Sequence, residues 1–396
     1  MRRRSTRNAP GSSHDRSDGS AGSLLYFVVP GDLEARTGGY GYDRRIILGL
    51  RDLGWTVEVR RLDDSFPLPT PAARAHAGEV LAALPSGSTV LVDGLALGAL
   101  AAEAERESAR LRIVALVHHP LAAETGLDAS VARALENSER RALAAARSIV
   151  VTSAATASRL AGYGVGANRI AVVEPGTDPA PLARGSASGD RPAVDSSRPS
   201  ALSHQLSAIS HQPFEVSLLC VATLTPRKGH ELLVSALAAL PHRMWRLTCA
   251  GSLDRDPATV ARVRAQVEAA GLAERVSFTG DLDAAALAVV YERTDLFVLP
   301  TFHEGYGMAV AEALARGLPV VSTATGAIAD LVGPDAGIVV APGDLPAFTD
   351  ALARAIGDAE LRAHFAAGAR RVRSRLSTWG DAAALMASAL ESEGAA

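Results

Sequence analysis

Cysteine is scarce. Only Cys220 and Cys249 occur among 396 residues, each inside an apolar strand-like run, "VSLLCVAT" and "WRLTCAG". They read as reduced core thiols of a cytosolic protein. A strong excess of either charge is also missing. The formal net charge of -3 gives no support to nucleic-acid binding as the main activity. No apolar run reaches the length of a membrane span. The first residues, "MRRRSTRNAPGSSHDRSDGSAGS", open with arginines but lack the apolar segment a secretory signal needs. Residues 1–22 are expected to form a disordered tail. Its arginines are the one feature that would favour contact with a membrane surface.

Several chemical signatures are absent as well. There is no G-x-S-x-G elbow and no Walker loop. A dinucleotide fingerprint fails in "RTGGYGYDRR", because Arg44 stands where a third glycine is required. No cluster of His, Cys and carboxylates falls at metal-ligand spacing. The expectation is therefore no resident metal and no resident cofactor.

What is present is a rhythm. From Leu24 onward, "LLYFVVP", "TVEVR", "TVLVDG", "RIVALV", "SIVVTS" and "RIAVVEP" alternate with helical stretches. Such alternation predicts βαβ units around a parallel sheet covered on both faces. The rhythm stops over residues 182–213, rich in Ser, Pro, Gly and His, which read as a linker or disordered insertion. It resumes through "FEVSLLCVATL", "WRLTCAGS", "RVSFTGD", "DLFVLPT", "LPVVST" and "GIVVAP". The fold class is α/β, with two Rossmann-like parallel-sheet domains over residues 23–181 and 214–376. A C-terminal helix lies within 377–396 and is expected to pack back on the first domain. Two such domains imply a cleft at the carboxyl ends of their strands.

Three stretches carry chemistry. In "TLTPRKGHELL", Arg227, Lys228 and Gly229 stand between a strand and a helix, where two cations, the helix dipole and free N–H groups favour an anion. In "PTFHEGYGMAVAEALARG", Glu304 lies in a Gly-rich loop and Glu312 on the following helix. Glu304 makes sense beside a polyol. Glu312, on a small apolar face, needs partners such as ribose hydroxyls. In "RIVALVHHPLAAE", His118 and His119 end a strand, suited to binding substrate or moving protons but poorly placed to chelate together.

These residues resemble one family. Glu304 and Glu312 match the E-x7-E signature of GT-B glycosyltransferases, and the surrounding stretch resembles family 4 of that group. The ordered set extends to the Gly38-Gly39 loop, His118, "VVEPGTD", the Lys228-Gly229 turn and "VSFTGDLD". The resemblance implies retaining, metal-independent transfer of a hexose from a UDP- or GDP-sugar, used as co-substrate, to an acceptor hydroxyl in a bacterial cytoplasm. It implies that Glu304 contacts sugar hydroxyls, with Gly305, Tyr306, Gly307 and Met308 lining the same donor site, and that Glu312 contacts the ribose. Lys228 and Arg227 balance the diphosphate, Gly280 and Leu282 flank the base, and Gly38, Gly39 and His118 approach from the other domain; His119 is a further candidate. Where the family often carries Gly-Arg-Leu, this chain has Ala222-Thr223-Leu224, so Thr223 replaces a diphosphate arginine and Arg227 is the substitute. The acceptor, whether small molecule, glycan or lipid, is left open. A same-fold epimerase or phosphorylase and a non-catalytic sugar-nucleotide-binding protein are the alternatives.

Overall fold

The structure is a computed structural model that describes residues 23–124, 126–186, 215–242 and 244–392. The expected tail, and residues 187–213 of the expected connector, lie outside the described residues. All twelve strands anticipated from the apolar runs form. The first sheet contains β1 (Leu24–Pro30), β2 (Thr56–Leu62), β3 (Thr89–Asp93), β4 (Arg112–Val117), β5 (Ser148–Val151) and β6 (Ile170–Val172). The second contains β7 (Val216–Val221), β8 (Trp245–Ala250), β9 (Val276–Gly280), β10 (Leu296–Leu299), β11 (Val320–Thr323) and β12 (Gly337–Val340).

Both sheets are six-stranded and parallel, in the orders β2-β1-β3-β4-β5-β6 and β12-β11-β10-β7-β8-β9. The strands are near-continuous runs of Val, Ile and Leu because helices cover both faces of each sheet, leaving no solvated face for polar alternation. Leu25 through Val29 and Leu296 through Leu299 are all buried. Cys220 and Cys249 are buried free thiols facing each other across β7 and β8. In both sheets the strand order reverses beside the first strand, the position at which open α/β sheets hold ligands.

Two segments join the domains. Residues 182–186 run along the second domain. Ala183 donates its N–H to Arg316 O at 2.9 Å and Arg184 to Glu292 O at 2.8 Å, while Ser186 donates to the Asp295 carboxylate at 3.0 Å. After the second sheet the chain returns to the first. Thr177 donates to Ser377 O at 2.8 Å, and helix Trp379–Glu391 begins with a capping box between Thr378 and Asp381. Its Ala382, Met386, Ala387 and Leu390 share a core with Ile46, Ile47 and Leu50 of helix Gly38–Asp52. Gly49 permits the approach, since a Cβ there would lie 2.5 Å from Ala383 Cβ.

This contact yields a stability prediction. Gly49→Leu should push the two helices apart and cost about 1–3 kcal/mol, the usual toll of overpacking. Denaturant melts of the variant against wild type measure it.

Candidate active site

The first domain contributes from the ends of β1, β3 and β4. Thr37 caps helix Gly38–Asp52 by accepting the Tyr40 N–H at 3.3 Å. Gly38 and Gly39 are thus the first helical residues rather than a turn ahead of it. Gly39 lies over the His118 ring, where an added Cβ would meet Cδ2 at 3.6 Å. Asp43, one turn on, is fully buried, and its Oδ1 is 3.2 Å from His118 Nε2. Asp93, at the end of β3, brings Oδ2 to 3.6 Å from the same nitrogen. Burial pushes the Asp43 carboxyl up from its ordinary range. Burial alone would lower His118, but the facing Asp43 and Asp93 carboxylates override it and hold the imidazole above its ordinary range.

The second domain contributes from the ends of β7 and β10. Pro226–Lys228 form a single 3-10 turn, and Gly229, at φ 73°, starts helix His230–Ala238. Only glycine fits there, because a Cβ would overlap the Pro300 carbonyl. The turn brings Lys228 Nζ into an ion pair with Glu304, with side chains 16% and 12% exposed. Burial opposes both charges. For Lys228 it prevails and lowers the ammonium. For Glu304 the Lys228 and Arg227 charges prevail and lower the carboxyl. Arg227 donates from Nη1 to His303 O at 2.8 Å. Gly307, at φ 102°, starts helix Met308–Ala315.

Glu312 lies one helical turn further along. Burial raises its carboxyl, with Arg316 and a Tyr291 hydroxyl opposing. Tyr291 donates to its Oε2 at 3.3 Å, and Arg316 stacks on the Tyr291 ring at 4.1 Å. A carboxylate on this small apolar face needs a partner, and Tyr291 supplies it. The two lie on different helices, so spacing gives no signal for the pair.

The two domains meet at this loop. Gly305 abuts the His118 carbonyl so closely that a Cβ would overlap the oxygen. Thr152 Oγ1 donates to that same carbonyl at 3.3 Å. Glu124 bridges His119 Nε2 at 3.4 Å and Arg227 Nε at 3.3 Å. Arg159 Nη1 lies 2.9 Å from His303 Nδ1, and the His119 and His303 rings meet edge to face at 5.4 Å. His118 and His119 point to different partners, as neighbours on an extended chain do.

Other expected residues take more modest positions. Gly280 has φ 69° with open space where a Cβ would be. Leu282 packs against the second core. Thr223 is half-buried at the end of the β7 segment, with its carbonyl accepting from Thr225 N–H at 2.9 Å. The Tyr306 side chain is buried with Ala311 and Ala327, which turns its ring away from the loop surface. Met308 packs toward both domains. Asp43, Asp93, Glu124, Arg159, Tyr291 and His303 were not singled out from the sequence. Polar atoms of Asp43, Asp93 and His118 lie within 4.8 Å of one another, although no such residues fall at metal-ligand spacing along the chain. They come from three separate elements, so linear spacing hides them. A single ring nitrogen of His118 faces both carboxylates.

His303 provides a pH prediction. Burial, then the charges of His119, Arg159 and Arg227, push it down to about 4. Between about 6.5 and about 4 the unfolded chain therefore binds a proton that the folded chain does not, and stability falls as pH falls. Wild type should lose about 2 kcal/mol relative to His303→Gln on going from about pH 7 to about pH 4.5. Paired denaturant melts across that range check it.

Comparison with known proteins bears on this geometry. Residues 210–372 match the family described as glycosyl transferases group 1, and residues 44–181 match glycosyltransferase family 4. A D-inositol 3-phosphate glycosyltransferase from Xylanimonas cellulosilytica is 35% identical over 160 residues, 40% of this chain and 38% of that protein. A lipopolysaccharide core biosynthesis mannosyltransferase, LpcC, from Rhizobium leguminosarum is 34% identical over 171 residues, 42% of this chain and 48% of that protein. In these matches the chain spans less than half the length of either relative. Among solved structures, sucrose-phosphate synthase from Thermosynechococcus elongatus superposes with a TM-score of 0.75 at 20% identity, covering 94% of this chain and 99% of that one. The Anabaena protein HepE in complex with UDP-glucose gives 0.67 at 19% identity, covering 93% and 99%. With both domains matched to glycosyltransferase families in sequence and the paired sheets matched in architecture, the chain has the GT-B fold and resembles glycosyltransferase family 4.

Proposed function

We propose that the protein transfers a hexose from a UDP- or GDP-sugar to an acceptor hydroxyl, with retention at the anomeric carbon and without a resident metal. The observation that carries this reading is the Lys228–Glu304 pair, set beside Arg227 at a helix start and facing His118 across the domain boundary. A departing nucleoside diphosphate gains negative charge as the glycosidic bond breaks. Lys228, Arg227 and the N-terminus of helix His230–Ala238 are fixed positive groups where that charge develops. In this reading they supply the stabilisation that a metal provides elsewhere.

The remaining residues follow from chemistry. Glu304 accepts hydrogen bonds from sugar hydroxyls while Lys228 keeps it ionised. Glu312, with Tyr291 already at one oxygen, turns its other oxygen to the ribose. Carboxylate and carbonyl groups nearby tolerate a sugar that becomes cation-like. Gly280 and Leu282 stand at the base, and Arg227 takes the role left vacant at Thr223. The HepE complexes with UDP and with UDP-glucose support a nucleotide-sugar donor. Named relatives serve acceptors as different as inositol phosphate and lipopolysaccharide core. Loops 32–37 and 120–127 of the first domain are where acceptor choice would reside. Among the described residues no helix is long and apolar enough to cross a membrane.

Release of nucleoside diphosphate from a panel of nucleotide sugars, with and without candidate acceptors, tests the reading. Lys228→Ala should lower turnover by about 2.7–4 kcal/mol in the barrier, by analogy with loss of an oxyanion donor, and should also lower the melting temperature, because it leaves the buried Glu304 carboxylate without its partner. A normal rate refutes the role. Glu312→Ala should weaken nucleoside diphosphate binding by about 1.5–3 kcal/mol in a calorimetric titration. For the substitution at position 223, Arg227→Ala should impair turnover nearly as much as Lys228→Ala, and adding Thr223→Arg should restore it. No recovery means the two positions are not interchangeable.

A further inference from the structure

His118 is held from every side. Its Nε2 faces Asp43 Oδ1 at 3.2 Å and Asp93 Oδ2 at 3.6 Å. Asp43 is fully buried, and its Oδ2 has no hydrogen-bond partner among the described residues. Asp93, 3% exposed, spends its Oδ1 on the Leu95 N–H at 2.7 Å. Tyr42 meets the imidazole edge-on at 5.4 Å between centroids, and Gly39 covers Cδ2. The ring itself is 20% exposed, and Nδ1 has no partner among the described residues.

We propose that Asp43 and Asp93 are positioning residues that keep His118 an imidazolium, its Nε2–H committed to the two carboxylates and its Nδ1–H left as the ring's free donor. Two buried carboxylates converging on one neutral N–H would leave charge uncompensated in the interior, which is costly; a cation between them offsets it. The charged and titratable groups around this cluster are Tyr40, Tyr42 and Asp43 from helix Gly38–Asp52 and Asp93 from the end of β3, with Asp32 from the first domain and Arg255 from the second reaching Tyr40. The direction of the electrostatics agrees, with both carboxylates pushing His118 up against the effect of its burial.

The consequence bears on the proposed glycosyl transfer and rests on that reading. A ring protonated on both nitrogens cannot accept a proton from the acceptor hydroxyl. His118 acts instead as a fixed cationic donor, suited to a phosphate oxygen of the leaving group or a sugar hydroxyl, and deprotonation of the acceptor falls to another group. Asp43 touches no substrate in this scheme and works through His118.

The test is the ring's protonation state in the full chain. Two-bond proton–nitrogen spectra of histidine-labelled protein, with His118 assigned by its disappearance in His118→Gln, report both ring nitrogens directly. In wild type both should remain protonated at about pH 8, where an ordinary histidine is neutral. Asp43→Asn should lower the His118 midpoint by about 1–3 units and move the alkaline limb of donor turnover the same way. A neutral His118 ring at about pH 8 in wild type overturns the proposal, as does an unmoved midpoint in Asp43→Asn. Should that variant fail to fold, Asp93→Asn and the wild-type spectrum still decide it. Absence of any nucleotide-sugar turnover would refute the transfer reading alone, leaving the spectrum to judge the imidazolium.

Discussion

The His118 carbonyl and the backbone of Gly305 touch across the domain boundary with no space for a side chain at position 305. The cross-domain half of the site depends on that approach. It sets His303 against Arg159 and His119, next to a Lys228–Glu304 pair that the second domain builds by itself. Any side chain at 305 would wedge the two sheets apart at the point where their strand ends face each other. A glycine here is thus a spacing device between domains, distinct from the turn glycines at 229 and 307, which are needed for positive φ.

Around this contact, charge is arranged in two layers. On the first domain, Asp43 and Asp93 lie beneath His118 and give the region a buried negative floor. On the second, Lys228 and Arg227 form a positive face, balanced by Glu304 and Glu124. Carboxylates occupy the cations in this structure, and a diphosphate would compete with those carboxylates for the same donors. The exchange of one anion for another is inexpensive compared with exposing a bare cation in a poorly solvated cleft. His303 stays neutral because its burial, with the nearby Arg159 and Arg227 charges, disfavours the protonated ring.

Much of the fold was legible in the sequence, for a definite reason. Strands buried on both faces must be apolar along their whole length, so "LLYFVVP" and "RIVALV" announce themselves. The Lys228 turn and the Glu304 loop were equally visible, because a cation pair or a carboxylate beside glycines at a helix start stands out against the apolar background. Asp43 was not. On helix Gly38–Asp52 it looks like one more charged residue before Arg44 and Arg45. Tyr291 likewise reads as part of an apolar helix until the fold sets it beside Glu312.

By itself the sequence determined the two parallel sheets, the glycines where backbone must turn or approach, and which residues bring charge to the strand ends. These are local properties, set by periodicity and by φ and ψ preferences along one stretch of chain. Tertiary structure alone decided which charges meet. Asp43 reaches His118 only because strand order places the ends of β1, β3 and β4 side by side. Glu124 reaches Arg227, and Arg159 reaches His303, only because the two domains close on each other. Side-chain electrostatics acts over a few ångströms in space, and distance along the chain carries almost none of that information.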